Sequence, residues 1–177
     1  EAKDRYTLGH GDRVAVFAKE LGKALGVNSD DLETLRKGGM LHDIGKIAIP
    51  DMVLTKPGKY TPEEFDVMKK HPNLGCEICE KLRSIKEAVP LIRHHHEKLD
   101  GSGYPDGLKG DAIPSLVRVV SIVDIYDALR SKRSYKDAFT IDKTFEIMWQ
   151  EVDKGWWDRH ILGVWEKLVR SRNADPF

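Results

Sequence analysis

The sequence predicts an all-α fold: a compact single-domain helical bundle spanning residues 1–177. Three observations carry that prediction. Apolar residues recur at steps of three and four along nearly the whole chain, the period of helices with one buried face. No two runs alternate apolar and polar residues around a hairpin turn, which argues against a sheet. No internal repeat, low-complexity tract or linker divides the 177 residues, a length that suits one domain with its own core.

Each element follows from local signals. Residues 7–25 place His10, Val14, Phe17, Leu21 and Leu25 on one helical face, and Gly26 ends the run. Ser29 and Asp30, with Glu33 following, read as an N-cap, and that helix runs towards His42. Residues 46–60 carry two prolines and a glycine and read as a long connection. Thr61-Pro62-Glu63-Glu64 combines an N-cap, an N1 proline and an N3 glutamate, and opens a helix to about His71, where Pro72 follows. Residues 73–83 and 85–96 are expected as two further helices, and 97–114 as an irregular Gly- and Pro-bearing loop. Pro114 opens a strongly apolar helix over 115–130, and helices at about 140–153 and 159–171 complete the set.

Composition excludes several functions. Lys+Arg and Asp+Glu cancel at 29 each, so no overall basic field exists for a nucleic acid polymer and no polybasic stretch for a membrane. No apolar run approaches the length of a membrane span. Two cysteines, Cys76 and Cys79, make no disulfide framework, so a reducing, cytoplasmic setting is expected. The chain opens on Glu1 with little lead-in and reads as a fragment of a longer protein.

Chemistry gathers around imidazoles and carboxylates. His10 begins an apolar stripe, so its ring points inward. His42 is followed by Asp43 in MLHDIGK, pairing a neutral imidazole with a carboxylate able to bridge two cations. Asp124 follows Val120 by four and Val117 by seven, so it lies on a buried face, where an unpaired carboxylate is very costly and a salt bridge or metal is the usual remedy. Asp127, one turn later, either supports the same site or caps polar groups. Residues 94–96 are three consecutive histidines. Neighbours on a helix lie roughly 100° apart, so His95 and His96 suit two adjacent metals better than one. Imidazole and carboxylate without thiolate suit iron, manganese or zinc. Two such ions about 3.5–4 Å apart are a known device for in-line attack on phosphorus.

HDIGK at 42–46, with HHEKLDGSGYP at 95–105, resembles the HD-GYP domains, a bacterial branch of the HD phosphohydrolase superfamily. The likeness runs in order through YTLGHGDRVA, IPDMVLTKPGKYTPEEFDVMKKHPNLG and GLKGDAIPSLVRVVSIVDIYDALRSKRSYKDA. It implies an all-helical fold, an iron or manganese centre, and hydrolysis of cyclic di-GMP or, in some members, of mixed cyclic GMP-AMP. Carried over by motif, the implied metal ligands are His10, His42, Asp43, His71, His95, His96 and Asp124, with Asp43 bridging. Lys46 is implied to neutralise the phosphate under attack, and Arg133 and Lys136 to hold the substrate phosphates. Tyr104, with Gly103 and Pro105, is implied to contact substrate or a protein partner. A receiver or sensory domain upstream is typical of the family, and a homodimer is open.

Departures from the pattern matter too. Where some members carry a metal-binding glutamate four residues before the first histidine, this chain has Tyr6, which implies two metals and linear pGpG as the expected product, with further conversion to GMP left open. Where members often read FDP, this chain has Trp157-Asp158-Arg159, and no functional change is attached to it. His94 is expected on the surface or behind the site, Cys76 and Cys79 in packing, the four tryptophans in the core or between helices, and His160 in a structural role. The alternatives are a cyclic-dinucleotide sensor or docking module without turnover, which lost ligands would mark, and a hydrolase of another nucleotide.

Overall fold

The computed structural model describes residues 9–131 and 138–174. Arg133, Lys136 and Tyr6 lie outside the described residues. Helix α1 (His10–Ala24) is followed by α2 (Ser29–Leu41), a 3-10 turn at Ile44–Ala48, α3 (Asp51–Leu54), α4 (Pro62–Met68) and α5 (His71–Cys79). A second 3-10 turn (Arg83–Ala88) leads into α6 (Val89–His94). After the loop that follows come α7 (Ser115–Arg130), α8 (Ile141–Asp153) and α9 (Arg159–Ala174). No strand occurs among the described residues.

Helix α7 is the central rod. Val117, Val119, Val120, Ile122, Val123 and Tyr126 are all buried, so the helix is apolar on every side and needs neighbours all round. It finds them in α1, α2, α6, α8 and α9. Val14, Ala18 and Leu21 of α1, Leu35 of α2, Phe145 and Met148 of α8, and Leu162 and Trp165 of α9 close the core. Ile49, Val53, Leu54 and Met68 form a smaller cluster under α3 and α4.

Several expected boundaries move. The α2 cap is Asn28, not Ser29 or Asp30: its side chain accepts from the backbone N–H of Asp30 and Asp31. The capping box at Thr61 and Glu64 is present, with Pro62 in the first turn. That helix stops at Met68, and α5 begins at His71 with Pro72 in its first turn, where a missing N–H costs nothing. Residues 85–96 are not one helix, because Pro90 is placed in the first turn of α6 and the chain before it turns as 3-10. The 46–60 connection contains α3. The expected 97–114 loop carries one 3-10 turn at Gly110–Ala112.

One close approach sets the site. A Cβ on Gly45 would stand 1.9 Å from the His71 carbonyl oxygen and 2.5 Å from the Gly75 nitrogen. Only glycine lets the turn carrying Asp43 lie against the helix carrying His71.

Candidate metal centre

Five histidines and two aspartates from separate elements converge on the C-terminal half of α7, where Asp124 lies. One ligand atom from each of Asp43, His71, His95 and His96 lies within 4.8 Å of the others, and His10, His42 and Asp124 form a second such group. Asp43 stands between the two. Its Oδ1 is 3.3 Å from His71 Nε2 and 3.9 Å from His95 Nε2. Its Oδ2 is 3.5 Å from His42 Nε2 and 4.0 Å from His10 Nε2. Asp124 Oδ1 lies 3.1 Å from His10 Nε2 and 3.6 Å from His42 Nε2. His95 and His96 both join the Asp43 group, although helical spacing had suggested separate metals. They follow α6 in a turn, not in a helix, and their rings stand 4.0 Å apart.

The ring orientations come from the helix ends. Nδ1 of His42 donates to the Gly39 carbonyl at 2.7 Å, Nδ1 of His71 to Met68 at 2.7 Å, and Nδ1 of His95 to Ile92 at 2.9 Å. Each acceptor is a last-turn carbonyl without a helical partner, three residues back. A carbonyl can only accept, so all three rings carry their proton on Nδ1 and turn a bare Nε2 inward. His10 is fixed differently: its Nδ1 donates to Asp127 Oδ2 at 2.7 Å, and Arg13 grips the same carboxylate through Nε at 2.7 Å. Asp127 therefore supports the site by orienting His10.

These constraints test whether a cation fits. The Nε2 atoms of His71 and His95 face each other at 3.4 Å, both with lone pairs. Two inward lone pairs beside an ionised Asp43 repel unless a positive charge lies between them, either a metal ion or a proton on one of the rings. The titration directions agree for the Asp43 group. Burial, reinforced by neighbouring imidazoles, holds His95 well below its usual range, and burial brings His96 down to about 3. Burial alone would push Asp43 up, but Lys46, His42 and His71 override it and hold it well below the carboxylate range. Asp124 behaves likewise, its burial outweighed by His10 and His42. Burial lowers His10, and Asp124 and Asp127 more than reverse that, raising it to about 9. His95 and His96 beside an ionised Asp43 are in the protonation state that cation binding requires, whereas His10 and His42, whose affinity for a proton Asp124 and Asp43 raise, must release that proton to a cation.

A cleft of about 830 Å³ opens over the centre, lined on the near side by His10, Asp43, His71, His96 and Asp124 and on the far side by residues 54–65. Lys46 lines it as well, and its Nζ donates to Asp43 Oδ2 at 2.6 Å. Tyr104 lines the cleft with its ring 4.8 Å from that of His96, tilted by 32°. Gly103 allows this, since a Cβ there would meet the Glu97 Cα at 2.5 Å and the His96 carbonyl oxygen at 2.6 Å. Pro105 follows Tyr104 through a cis peptide.

The residue that anchors this loop had not been singled out from the sequence. Glu97 is 2% exposed. Its carboxylate accepts from the backbone N–H of Asp106 at 2.7 Å, Gly107 at 3.1 Å and Leu108 at 3.0 Å. The available signal was an acid set between a histidine pair and a glycine-rich loop full of unpaired N–H groups. His94 is explained by the same loop: its Nε2 pairs with Asp106 at 2.8 Å, and Arg93 grips that carboxylate with two bonds at 2.8 Å. Cys76 and Cys79 are free thiols, Cys79 buried. Trp157 and Trp165 are core residues, Trp149 and Trp156 pack against the core, and His160 is exposed at the start of α9.

A family model described as HD domain matches residues 2–161. The Xanthomonas campestris protein named "Cyclic di-GMP phosphodiesterase response regulator RpfG" is 41% identical over 153 residues, covering 85% of this chain and 40% of its own length. The Vibrio cholerae protein named "3'3'-cGAMP-specific phosphodiesterase 2" is 37% identical over 181 residues, covering 99% of this chain and 35% of its own length. The chain thus spans well under half the length of these curated relatives. Among solved structures, an HDG"Y"P protein of Bdellovibrio bacteriovorus superposes with a TM-score of 0.71 at 21% identity, over 91% of this chain and 51% of that one, which bears on the fold alone. With its HDIGK turn and GYP loop on the page, the chain belongs to the HD domain family, in its HD-GYP branch.

Proposed function

We propose that this domain is a metal-dependent cyclic dinucleotide phosphodiesterase that opens cyclic di-GMP to linear pGpG. The observation that carries the reading is the donor set of five imidazoles and two carboxylates, with Asp43 between its halves. Its donor chemistry suits two ions of iron or manganese, with zinc as the third candidate. Divalent cations held there supply Lewis acidity at phosphorus and lower the pKa of water. The cleft above, at about 830 Å³, is large enough for a nucleotide ligand.

The chain's own residues do the rest. His10, His42, His71, His95, His96 and Asp124 hold the cations with Asp43 as the bridge, their rings aimed by Asp127 and by the helix-end carbonyls. Lys46 sets a positive charge beside the phosphate under attack. Arg133 and Lys136 hold the substrate phosphates, a role that rests on the family resemblance. Tyr104 stacks on a base, with Gly103 and Pro105 shaping its loop. Tyr6 in place of the family's occasional glutamate favours pGpG over GMP. Within a longer cytoplasmic protein, the domain would be the output half of a signalling chain.

Mixed cyclic GMP-AMP is the second reading, favoured by relatives named for that substrate. A competition experiment tests both. Iron- or manganese-loaded protein is offered cyclic di-GMP and 3'3'-cGAMP together without oxygen, and the nucleotides are separated over time. The reading expects pGpG to accumulate first and a chelator to stop it. Asp43→Ala should lose metal binding and turnover together, and unchanged turnover in that variant would sink the assignment.

A further inference from the structure

Phe65 is an aromatic residue that the metal centre leaves unused. It belongs to α4, where Met68 is the buried side chain, and its own ring is 45% exposed. Its position is nonetheless well defined. The Thr61–Glu64 capping box and Pro62 fix the start of the helix, and Glu64 is tied to Lys56 across the connection. Phe65 lines the same cleft as Asp43, His71, His96 and Asp124. Its ring meets Tyr104 edge to face, with centroids 6.2 Å apart and planes at 83°. The Lys69 ammonium stands 5.3 Å from the Phe65 centroid. An aromatic row therefore runs along the cleft wall from His96 through Tyr104 to Phe65.

We propose that Phe65, together with Tyr104, forms the subsite for one purine base of the substrate. The proposal rests on the cyclic dinucleotide reading and adds to it where a base is held. A ring 45% exposed on the wall of the same cleft as the His/Asp groups adds little to the core. It does offer a π surface to a flat base, and such stacking strengthens with the area of the base, so a two-ring purine gains more than a one-ring pyrimidine. Lys69, paired with Asp66 at 2.6 Å, stands over one face of the ring and leaves the other for a base. The subsite therefore takes a purine as a class, guanine or adenine, and leaves the choice between them to other contacts.

Phe65→Leu keeps an apolar side chain of similar bulk and removes the ring. The manganese-loaded protein and this variant would be compared in KM and kcat for cyclic di-GMP and cyclic di-UMP. The subsite predicts about a tenfold rise in KM for cyclic di-GMP, the loss of one base stack. It also predicts a smaller change for cyclic di-UMP, with kcat, metal content and Tm unchanged. An unchanged KM overturns it, as does a fall in kcat with loss of metal, which would mark a structural role. If the unaltered protein neither hydrolyses nor binds a cyclic dinucleotide, the phosphodiesterase reading fails and the subsite with it. Turnover by the unaltered protein that Phe65→Leu leaves untouched overturns the subsite alone.

Discussion

His42, His71 and His95 show how little is needed to make a ligand out of a histidine. Each gives its Nδ1 proton to a carbonyl three residues earlier, at the end of the helix before it, and each is left with one nitrogen to offer. The His10 ring takes its partner from another part of the chain instead, donating Nδ1 to Asp127 of α7. That difference makes Asp127 the most exposed weakness in the centre. Supporting partners of metal-bound histidine typically contribute about 10- to 100-fold in metal affinity. Asp127→Ala is therefore expected to weaken manganese binding by about that factor while the fold survives, as calorimetric titration and circular dichroism would show. Affinity equal to that of the unaltered protein would mean that His10 is oriented some other way. The ligand types were legible in the sequence because buried carboxylates and an inward His-Asp pair violate the usual rules of burial. Their partners across the fold were not, since nothing local to Asp127 says that residue 10 stands beside it.

At the scale of elements, the helix starts were read well where side chains announce them. Thr61, Pro62 and Glu64 declare a capping box, and Pro114 opens α7. The misplaced boundaries all involve a competing signal nearby. Asn28 caps α2 although Ser29 and Asp30 are equally good capping types, Pro72 lies in the first turn of a helix that begins two residues earlier than the expected 73, and Pro90 begins a helix that periodicity alone joins to the 3-10 turn before it. The 97–114 loop was legible as a loop but not as an ordered one. Its order comes from Glu97, whose buried carboxylate receives three backbone N–H groups. Glu97→Gln turns one acceptor oxygen into a donor facing an N–H, which costs about 1–3 kcal/mol for the unsatisfied group. Hydrogen exchange at the amides of residues 106–108 should quicken in this variant, while the core of α7 stays protected. Equal protection in both proteins would remove Glu97 from its anchoring role.

At the scale of the molecule, the fold exists to bring distant pieces of chain to the C-terminal half of a buried rod. The all-α class and the order of helices followed from periodicity. The meeting of α1, α2, α5, α6 and α7 at a single point did not, because packing between helices depends on approaches such as Gly45 against His71 that leave no local mark. The charge arrangement follows from that meeting: ionised carboxylates and bare imidazole nitrogens face one cavity with too little positive charge of their own. The central claim is that this cavity is built for two cations. Native mass spectrometry of the metal-stripped protein, titrated with manganese, counts them directly. Two ions per chain, with both lost in Asp43→Ala, is the predicted result. A single ion, or none at concentrations that saturate the unaltered protein's activity, would contradict it.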